Sequence, residues 1–453
     1  MADIKELREI WLKKFEEHPE LMKKRVPEGI EKYRKGDCRI RLTDSEGNPL
    51  KNTEVKVDQK THDFQFGAHI FMLDEFGTEE ENKKFRDMFS QYFNLATIPF
   101  YWDTLEPEEG KPRYDKNSKK IYRRPAPDLC LEYCNEKGIK GKLHCLVYDK
   151  FTADWMPKDD LKEMERLYEK RFKEISERYS GKLSEFEVIN ETLMSHGWTT
   201  ATEVIKKPDL NEWAFSLAEK YFGNDTLVIN EGGQNTDVAD KGIWSAYYLE
   251  IENAIKKGCR IDKIGMQHHL FTACQAKTPE EYEKAIKTEY VRFADPEVSF
   301  KFLDTLGRFG LPLELTEVTI PTLGEGEEYE ELQAEIIKGL YSVWFSHPNV
   351  ETIVYWNQID GHCYDAGPDS NWNENRCRGG IFHHDLTPKK AALALKKLIT
   401  EDWHTTLTLT TDEDGYIEFR GFYGDYTAEC DGSVISFGIH KNRDNGCVSE
   451  QQA

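Results

Sequence analysis

Residues 161–191 read LKEMERLYEKRFKEISERYSGKLSEFEVINE and contain two kinds of pattern. Over residues 161–180 the apolar side chains recur at helical spacing, which predicts an amphipathic helix. Residues 185–191, EFEVINE, form a short apolar run that ends in an amide and a carboxylate. A helix followed by such a run is typical of sheets whose parallel strands are joined by helices.

Seven more apolar runs resemble EFEVINE in length and composition. FQFGAHI begins at residue 64, NLATIPF at 94, GKLHCLVY at 141, TLVINE at 226, IDKIGMQHH at 261, PLELTEVTI at 312 and VETIVYW at 350. Each gap has room for a helix and two loops. Eight such units predict an α/β fold, a (β/α)8 TIM barrel. An open doubly wound sheet is the alternative, and it is disfavoured because no glycine-rich phosphate loop follows the first run.

Strand periodicity also occurs at both ends of the chain. Two alternating segments, Arg39–Thr43 and Thr53–Asp58, flank turn residues and predict a β-hairpin. After a helical stretch at 386–399, residues 405–440 predict three or four antiparallel strands. Because each β-segment is too small to be stable alone, we expect them to form one small, sandwich-like accessory β-domain. The predicted segments are 1–60 (a helix and the hairpin), 61–402 (the barrel) and 403–453 (the remaining strands).

The composition excludes several classes of protein. The chain has 453 residues, 61 Lys and Arg against 83 Asp and Glu, and a net charge of −22. Such an acidic chain is a poor ligand for nucleic acid or anionic membranes. No signal peptide or membrane span is apparent, so we expect a cytoplasmic protein, or a secreted one if a leader has been trimmed. No pattern in the sequence sets an oligomeric state.

Polar residues gather where the eight runs end, which is where barrel proteins carry their function. They are His144, Asn190, Glu191, Asn230, Glu231, Gln267, His268, His269, Glu317, Trp356 and Asn357. Two carboxylates across a barrel mouth suit glycoside hydrolysis, in which one protonates the leaving oxygen while the other attacks the anomeric carbon or activates water. Glu191 and Glu317 are the candidate pair, because the fourth and seventh strands lie roughly opposite each other.

An ordered series of motifs resembles glycoside hydrolase family 10, the barrel xylanases. FEVINE resembles the W-D-V-V-N-E motif of the general acid, and LELTEVTI resembles the I-T-E-L-D-I strand of the nucleophile. IGMQHHL is similar to G-x-Q-x-H, KLHCLVY to G-H-T-L-V-W, and WDTLEPEEGKPRYD to W-x-x-x-E-P-x-x-G-x-x-x-(F/Y). The similarity runs from about residue 31 to 400.

The resemblance implies a retaining, endo-1,4-β-xylanase-like glycoside hydrolase that needs no cofactor and acts on a β-linked carbohydrate. Glu317 would be the nucleophile and Glu191 the general acid and then the base. Of the other residues, Asn190 would bind the sugar 2-hydroxyl, His269 would orient Glu317, Gln267 would lie near Glu191, His144 would contact the adjacent sugar, and Trp356 would cover a sugar face. Asn230 and Glu231 would lie behind the site, with Glu231 as the reserve candidate for the acid.

Some positions depart from the family pattern. Where the family reads E-N-x-M-K-W, this chain reads Thr97-Ile98-Pro99-Phe100-Tyr101-Trp102, so Ile98 and Tyr101 replace residues that contact sugar on the non-reducing side. We expect Tyr101 and Trp102 to bind substrate, and Pro99–Tyr101 to form an apolar wall. Tyr148 and Tyr364 replace two tryptophans. These departures predict weak activity on unsubstituted xylan and favour a differently decorated glycan or a small aryl glycoside.

Two other functions remain alternatives. A metal hydrolase would suit the histidine content, but adjacent histidines on a strand point to opposite faces and the first strand lacks a His-x-His pair. A non-catalytic carbohydrate-binding barrel would keep the aromatic cleft and lose a carboxylate. Both carboxylates are present here, which favours the enzyme.

Overall fold

The computed structural model describes residues 3–195 and 201–441, and the backbone of Gln451 and Gln452. Eight parallel strands close into a barrel, as the periodicity predicts. They are β3 (Gln65–His69), β4 (Leu95–Pro99), β5 (Lys140–His144), β6 (Glu185–Asn190), β7 (Leu227–Glu231), β8 (Lys263–His269), β9 (Leu313–Thr319) and β10 (Val350–Tyr355). Their residues are almost all buried, because side chains fill the interior and helices cover the outside.

Helices surround the barrel and extend to its N-terminal side. They cover Ile4–Glu17, Val26–Tyr33, Glu79–Tyr92, Trp102–Leu105, Pro127–Lys137, Leu161–Tyr179, Thr192–Ser195, Leu210–Tyr221, Asn235–Lys241, Ala246–Lys256, Pro279–Thr288, Pro296–Leu306, Glu327–Ser346 and Lys390–Lys397. Thr78 and Thr278 each precede a helix with a capping box, in which the threonine hydroxyl accepts from the backbone N–H of the glutamate three residues on and that glutamate's carboxylate accepts from the threonine N–H. Within the described ranges, no helix is both long and apolar enough to cross a bilayer.

The accessory strands form two sheets that face each other. They are β1 (Lys35–Thr43), β2 (Glu54–Gln59), β11 (Thr406–Thr410), β12 (Tyr416–Phe422), β13 (Gly424–Cys430), β14 (Ser433–Ile439) and β15 (Gln451–Gln452). One sheet has the order β12-β1-β15 and the other β11-β2-β13-β14. Apolar residues from both, including Leu42, Val57 and Ile435, form a shared core. The prediction of an accessory, sandwich-like β-structure built from both ends of the chain is confirmed.

The predicted hairpin at 38–59 is wrong. β1 pairs with β12, whereas β2 pairs with β11 and β13 in the other sheet. The alternation of each strand shows that one face is buried, but it does not identify the partner. Placing the two strands in opposite sheets buries both apolar faces between the sheets.

The N-terminal helix packs on the barrel, although we predicted it as part of the accessory domain. Leu7 and Trp11 are fully buried in the main core, and the Trp11 indole donates to the carbonyl of Ile286 at 2.9 Å. Arg8 donates two bonds to the Glu335 carboxylate, at 2.6 and 2.7 Å. The boundaries 1–60, 61–402 and 403–453 stay a prediction, and residues 442–450 of the last segment lie outside the described residues.

The N-terminal half of the barrel interior holds a buried group of charges, which we call the basal ion cluster. Lys142 lies 2.5 Å from Glu314 and 3.8 Å from Glu187, and Lys263 lies 2.9 Å from Glu314 and 3.1 Å from Glu185. Three carboxyls thus face two ammonium groups. Burial and the nearby Glu314 raise the pKa of Glu185 to about 7. The cluster fills the barrel beneath the residues that the sequence singled out.

Candidate active site

The site is a cavity of about 310 Å³ at the C-terminal ends of the barrel strands, which we call the cleft. Glu191, Glu317 and Gln267 line it together with the aromatic side chains of Tyr101 and Trp356. A second cavity, of about 350 Å³, lies at the opposite end of the barrel, next to the basal ion cluster. Barrel proteins carry their function at the C-terminal end, and only the cleft contains the predicted carboxylate pair.

Gln267 connects the two candidate carboxylates. From β8, its amide nitrogen lies 2.8 Å from Oε1 of Glu191 and 3.0 Å from Oε1 of Glu317. Two contacts of that length from one atom place these two oxygens no more than about 6 Å apart, which fits the close carboxylate spacing of retaining rather than inverting glycosidases. The predicted position of Gln267 near Glu191 is where the structure places it.

An irregularity in the pairing of β8 and β9 directs the Glu317 side chain into the cleft. The register between β8 and β9 shifts between Met266 and Gln267, where the partner changes from Leu315 to Glu317. Thr316 and Glu317 are adjacent, and in a regular strand their side chains would point to opposite faces. Here the Thr316 hydroxyl donates to Oδ1 of Asn230 at 2.6 Å, while Nδ2 of Asn230 lies 3.4 Å from Glu317. Both side chains therefore reach the barrel interior, as expected of a bulge.

Glu317 is buried among other acids, which affects its protonation. Burial and the carboxylates of Glu191, Glu187 and Glu374 raise the pKa of Glu317 well above its ordinary value, and the imidazole of His144 opposes this. Glu317 therefore holds a proton to higher pH than an isolated glutamate does.

His269 contacts Glu317 as the resemblance implies. Its Nε2 lies 3.2 Å from Oε2 of Glu317, and its Nδ1 lies 3.0 Å from the hydroxyl of Thr319. Burial lowers the pKa of His269 to about 4, so its imidazole is neutral near pH 7. A neutral ring has one N–H. Thr319 can donate to Nδ1, which leaves the Nε2 proton to bind an ionised Glu317.

Glu191 follows β6 directly and turns into the cleft. Its φ of 55° lies in the left-handed region, which costs a non-glycine residue about 1–3 kcal/mol. Oε2 of Glu191 accepts a hydrogen bond of 2.9 Å from the hydroxyl of Tyr148, a contact that sequence reasoning missed. The signal was the tyrosine that replaces the family's tryptophan in the third run. Tyr148 and Gln267 together fix the direction of the Glu191 carboxyl.

The two asparagines lie beneath the carboxylates. Nδ2 of Asn230 donates to Oδ1 of Asn190 at 2.9 Å. The buried Nδ2 of Asn190 has no hydrogen-bond partner among the described residues, and Asn190 lines the cleft. A buried donor needs an acceptor. Asn190 can therefore supply the hydrogen bond to a sugar hydroxyl that the resemblance implies.

Glu231 lies behind the cleft and is fully buried. Its carboxylate accepts bonds of 2.9 Å from the backbone N–H groups of Leu193 and Gly232. It therefore holds the short helix that follows Glu191. Burial and the nearby Glu250 raise the pKa of Glu231 well above its ordinary value. This position fits the predicted place behind the site and does not fit the reserve role of acid.

His144 is held from both sides. Its Nδ1 lies 2.8 Å from Oε1 of Glu187, and its Nε2 lies 2.9 Å from the hydroxyl of Tyr101. Although burial opposes it, the Glu187 carboxylate raises the pKa of His144. His144 borders the cleft, but both ring nitrogens are occupied, so Tyr101 presents the polar surface there. Trp356 packs against Tyr101 and Phe71 and forms the expected apolar wall.

Two predicted contacts on the non-reducing side are absent from the cleft. Trp102, which we predicted to bind substrate, is not among the residues that line the cleft: its ring packs 4.7 Å from that of Tyr168 and its indole donates to Glu106 at 3.1 Å. Ile98 and Phe100 are fully buried among core residues, so the predicted Pro99–Tyr101 wall consists of Tyr101 alone. Alternate residues of β4 face the helices, which the motif comparison did not reveal.

Further residues beside Tyr101 complete the lining of the cleft, and sequence reasoning missed most of them. Arg123, Arg124 and Lys150 line the cleft, together with Phe71, Phe151, Tyr364, Trp372 and Glu374. Of these, Tyr364 was noted only as a substitution. The signal available was the pair of adjacent arginines in a strongly acidic chain.

One group in the described residues has metal-ligand spacing. The ligand atoms of His144, Cys145 and Glu187 lie within 4.8 Å of one another. Both nitrogens of His144 are already hydrogen-bonded, and burial raises the pKa of the Cys145 thiol well above its ordinary value. A metal needs the thiolate and a free imidazole nitrogen, so these residues do not fit one.

Known proteins resemble this chain in sequence. The model described as Glycosyl hydrolase family 10 matches residues 69–398. Endo-1,4-beta-xylanase 1 of Arabidopsis thaliana is 24% identical over 424 residues, which cover 90% of this chain and 37% of that protein. Anti-sigma-I factor RsgI6 of Acetivibrio thermocellus is 24% identical over 406 residues, which cover 88% of this chain and 45% of that protein. The chain thus spans between about a third and a half of these relatives' lengths.

Solved structures share the fold. Xylanase 10B of Thermotoga petrophila, solved in complex with xylobiose, aligns with a TM-score of 0.56 at 19% identity, over 75% of this chain and 95% of that one. Native xylanase 10B of Thermotoga maritima aligns with a TM-score of 0.55 at 19% identity, over 75% of this chain and 96% of that one. The prediction of a TIM barrel with an accessory β-structure is confirmed.

Proposed function

Because the chain belongs to glycosyl hydrolase family 10, we propose that it is an endo-1,4-β-xylanase-like enzyme that hydrolyses β-glycosidic bonds with retention of configuration. The observation that carries the proposal is the close carboxylate pair, joined through the amide of Gln267. Such spacing leaves no room for a water between nucleophile and sugar, so one carboxylate attacks directly.

In the first step, Glu317 attacks the anomeric carbon while Glu191 gives its proton to the leaving glycosidic oxygen. The bond from the anomeric carbon to the leaving oxygen breaks as the bond to Glu317 forms. In the second step, Glu191 takes a proton from water, and the resulting hydroxide displaces Glu317 from the same face that the leaving group occupied. Two inversions give net retention.

The neighbouring residues prepare each carboxyl for its role. The mechanism needs Glu317 as the anion that attacks and Glu191 as the acid that carries the proton when substrate binds. The N–H of neutral His269 can bind the ionised form of Glu317, and the imidazole of His144 acts against the rise in the pKa of Glu317 that burial causes. The buried amide donor of Asn190, which has no hydrogen-bond partner among the described residues, binds the sugar 2-hydroxyl. This hydrogen bond becomes stronger in the transition state.

The stereochemical outcome tests the mechanism. We expect NMR of a fresh digest of an aryl β-xyloside or xylo-oligosaccharide to show the β-anomer of the product first, followed by slow mutarotation. An α-anomer as the first product would contradict the retaining assignment. If the wild-type protein hydrolyses none of a panel of aryl β-glycosides and β-linked polysaccharides, the non-catalytic alternative replaces the enzyme.

A further inference from the structure

Arg123 and Arg124 form a cationic pair in the loop between the helices Trp102–Leu105 and Pro127–Lys137. Arg123 is only 5% exposed, and its side chain has neither a hydrogen bond nor an ion pair with any residue that the structure describes. Arg124 donates to the backbone carbonyl of Arg123 at 2.9 Å, and within the described ranges it has no carboxylate within ion-pair distance. Both side chains line the cleft.

Other buried arginines in this chain are satisfied. Arg34 donates to the carbonyls of Phe345, His347 and Val350, and Arg171 donates to those of Phe100, Cys145 and Leu146. A buried cation without such partners is costly, so the pair at 123–124 needs a compensating group.

The residues that the structure describes do not supply that group. Asp103 is the acid that interacts most with Arg124, but the two do not form an ion pair, and burial raises the pKa of the Asp103 carboxyl. The unused donors therefore lie beside the cleft without an acidic partner. A ligand that enters the cleft can provide one.

Aromatic rings hold the pair in place. The guanidinium carbon of Arg124 lies 4.4 Å from the ring centre of Tyr101 and 5.4 Å from that of Phe71, and Arg123 lies 6.0 Å from Phe71. Stacking uses the face of a guanidinium and leaves its in-plane N–H donors for another partner. Nζ of Lys150, 5.1 Å from the ring centre of Tyr364, adds positive charge to the same side of the cleft.

We call Arg123, Arg124 and Lys150 the cationic wall. We infer that the cationic wall binds a carboxylate on the substrate, so that the preferred substrate is a β-linked glycan that carries a uronic acid. The inference rests on the proposed glycosidase function and narrows its substrate class. A guanidinium fork matches a planar carboxylate, and the charge-assisted bonds are strong in a buried site. A phosphate dianion fits less well, because Glu191 and Glu317 line the same cavity and would repel its second charge. Tyr101 places the wall on the side where the resemblance puts the non-reducing sugars.

The decisive comparison uses two substrates that differ only in charge. One is a xylo-oligosaccharide with a single glucuronic acid branch, and the other is the same molecule with that carboxyl converted to its methyl ester. We expect wild-type kcat/KM to be at least about tenfold higher for the acid, since hydrogen bonds to a charged group are worth that much or more. Equal values for the two would overturn the inference while leaving the proposed function intact.

Variants of the two arginines test whether the preference for the acid over the ester comes from the cationic wall. We expect Arg123→Gln and Arg124→Gln each to lower the acid-to-ester ratio of kcat/KM, and the double variant to bring it close to one. Arg166→Gln, which removes an exposed arginine paired with Glu163 on the outer helix, should leave the ratio unchanged. A ratio that stays at the wild-type value in the folded double variant would overturn the inference.

A binding measurement separates this inference from catalysis. Calorimetry with Glu317→Gln, which cannot turn over, should show tighter binding of the acid than of the ester, with the difference falling as salt rises. If wild-type protein hydrolyses neither substrate but this preference remains, the proposed activity fails and the carboxylate site stands. If the two ligands bind equally, the carboxylate site fails.

Discussion

Gln267 contacts both candidate carboxyls, and each residue beside it makes a different hydrogen bond in the cleft. His269 can donate to Glu317, Tyr148 donates to Glu191, and Asn190 keeps a free donor in the cleft. Because Glu317 is buried and has other carboxylates near it, its protonation depends on these contacts as well as on solvent pH.

Replacing the nucleophile separates chemistry from stability. We expect Glu317→Gln to lower kcat on aryl glycosides by at least about a thousandfold, because an amide cannot form the glycosyl ester. Since burial and three nearby carboxylates raise the pKa of Glu317, its removal should leave Tm at pH 8 unchanged or higher. Glu325→Gln, a change at an exposed carboxylate paired with Arg378, is the control and should alter neither quantity. Retained turnover in folded Glu317→Gln would refute the assignment.

Replacing the acid separates its two steps. We expect Glu191→Ala to keep slow turnover of substrates with good leaving groups, which depart without protonation. Added azide should then speed deglycosylation and give a β-glycosyl azide. Glu231→Ala is the matched control, because Glu231 also ends an Ile-Asn-Glu triplet but lies behind the cleft. Azide rescue in Glu231→Ala, or an α-azide in Glu191→Ala, would contradict the assigned roles.

The strands show what periodicity predicts and where it stops. All eight barrel strands were predictable, since a strand covered on both faces gives an unbroken apolar run bounded by polar residues. The bulge that brings Thr316 and Glu317 to one face was not, because it breaks the alternation from which facing is inferred. The same limit applies to Ile98, which the motif comparison placed at the sugar and the pleat of β4 places in the core.

The sequence could not predict the cationic wall, for a different reason. Arg123 and Arg124 lie in a loop, where neither a helical nor a strand period tells which way a side chain points. Carboxylates at strand ends, such as Glu191 and Glu317, can be located because the barrel fixes where strand ends meet. The hairpin error has a related cause, since the partners of β1 and β2 are separated from them by almost the whole chain.

The helix Glu327–Ser346 ends at a buried arginine. Arg34, from the N-terminal segment, donates to the carbonyls of Phe345, His347 and Val350 and so covers the helix end and the start of β10. We expect Arg34→Met to lower the free energy of unfolding by about 3 kcal/mol or more, because it leaves buried carbonyls without donors. Urea unfolding followed by circular dichroism would measure this loss.

Arg8→Met gives the matched control on the same segment. Its ion pair with Glu335 is partly exposed, with side-chain exposures of 39% and 40%, so we expect a loss of about 1 kcal/mol or less. If Arg34→Met costs no more than Arg8→Met, the buried arginine does not stabilise the helix end.

At the level of the whole protein, the basal ion cluster makes stability depend on pH. Folding raises the pKa of Glu185 to about 7, so between about pH 4.5 and 7 the folded state binds a proton that the unfolded state has lost. The free energy of unfolding therefore falls as pH rises through this window.

Glu185→Gln tests this coupling, since an amide resembles the protonated carboxyl. We expect the variant to match wild type near pH 5 and to become more stable than wild type by up to about 3 kcal/mol at pH 8. Urea unfolding at several pH values would give the difference, and Glu328→Gln, at an exposed carboxyl, should give none. A difference that does not change between pH 5 and 8 would show that Glu185 does not titrate in this window.

The pairing of β1 with β12, and of β2 with β11 and β13, has a consequence for biosynthesis. A ribosome adds about 5–20 residues per second, so the first strands to emerge wait on the order of tens of seconds for their partners. During that time the barrel can close, but the edges of β1 and β2 stay without their final neighbours. Such edges are sites of unwanted association. The accessory sheets can therefore be completed only after the strands between Thr406 and Ile439 have been synthesised, later than all eight barrel strands.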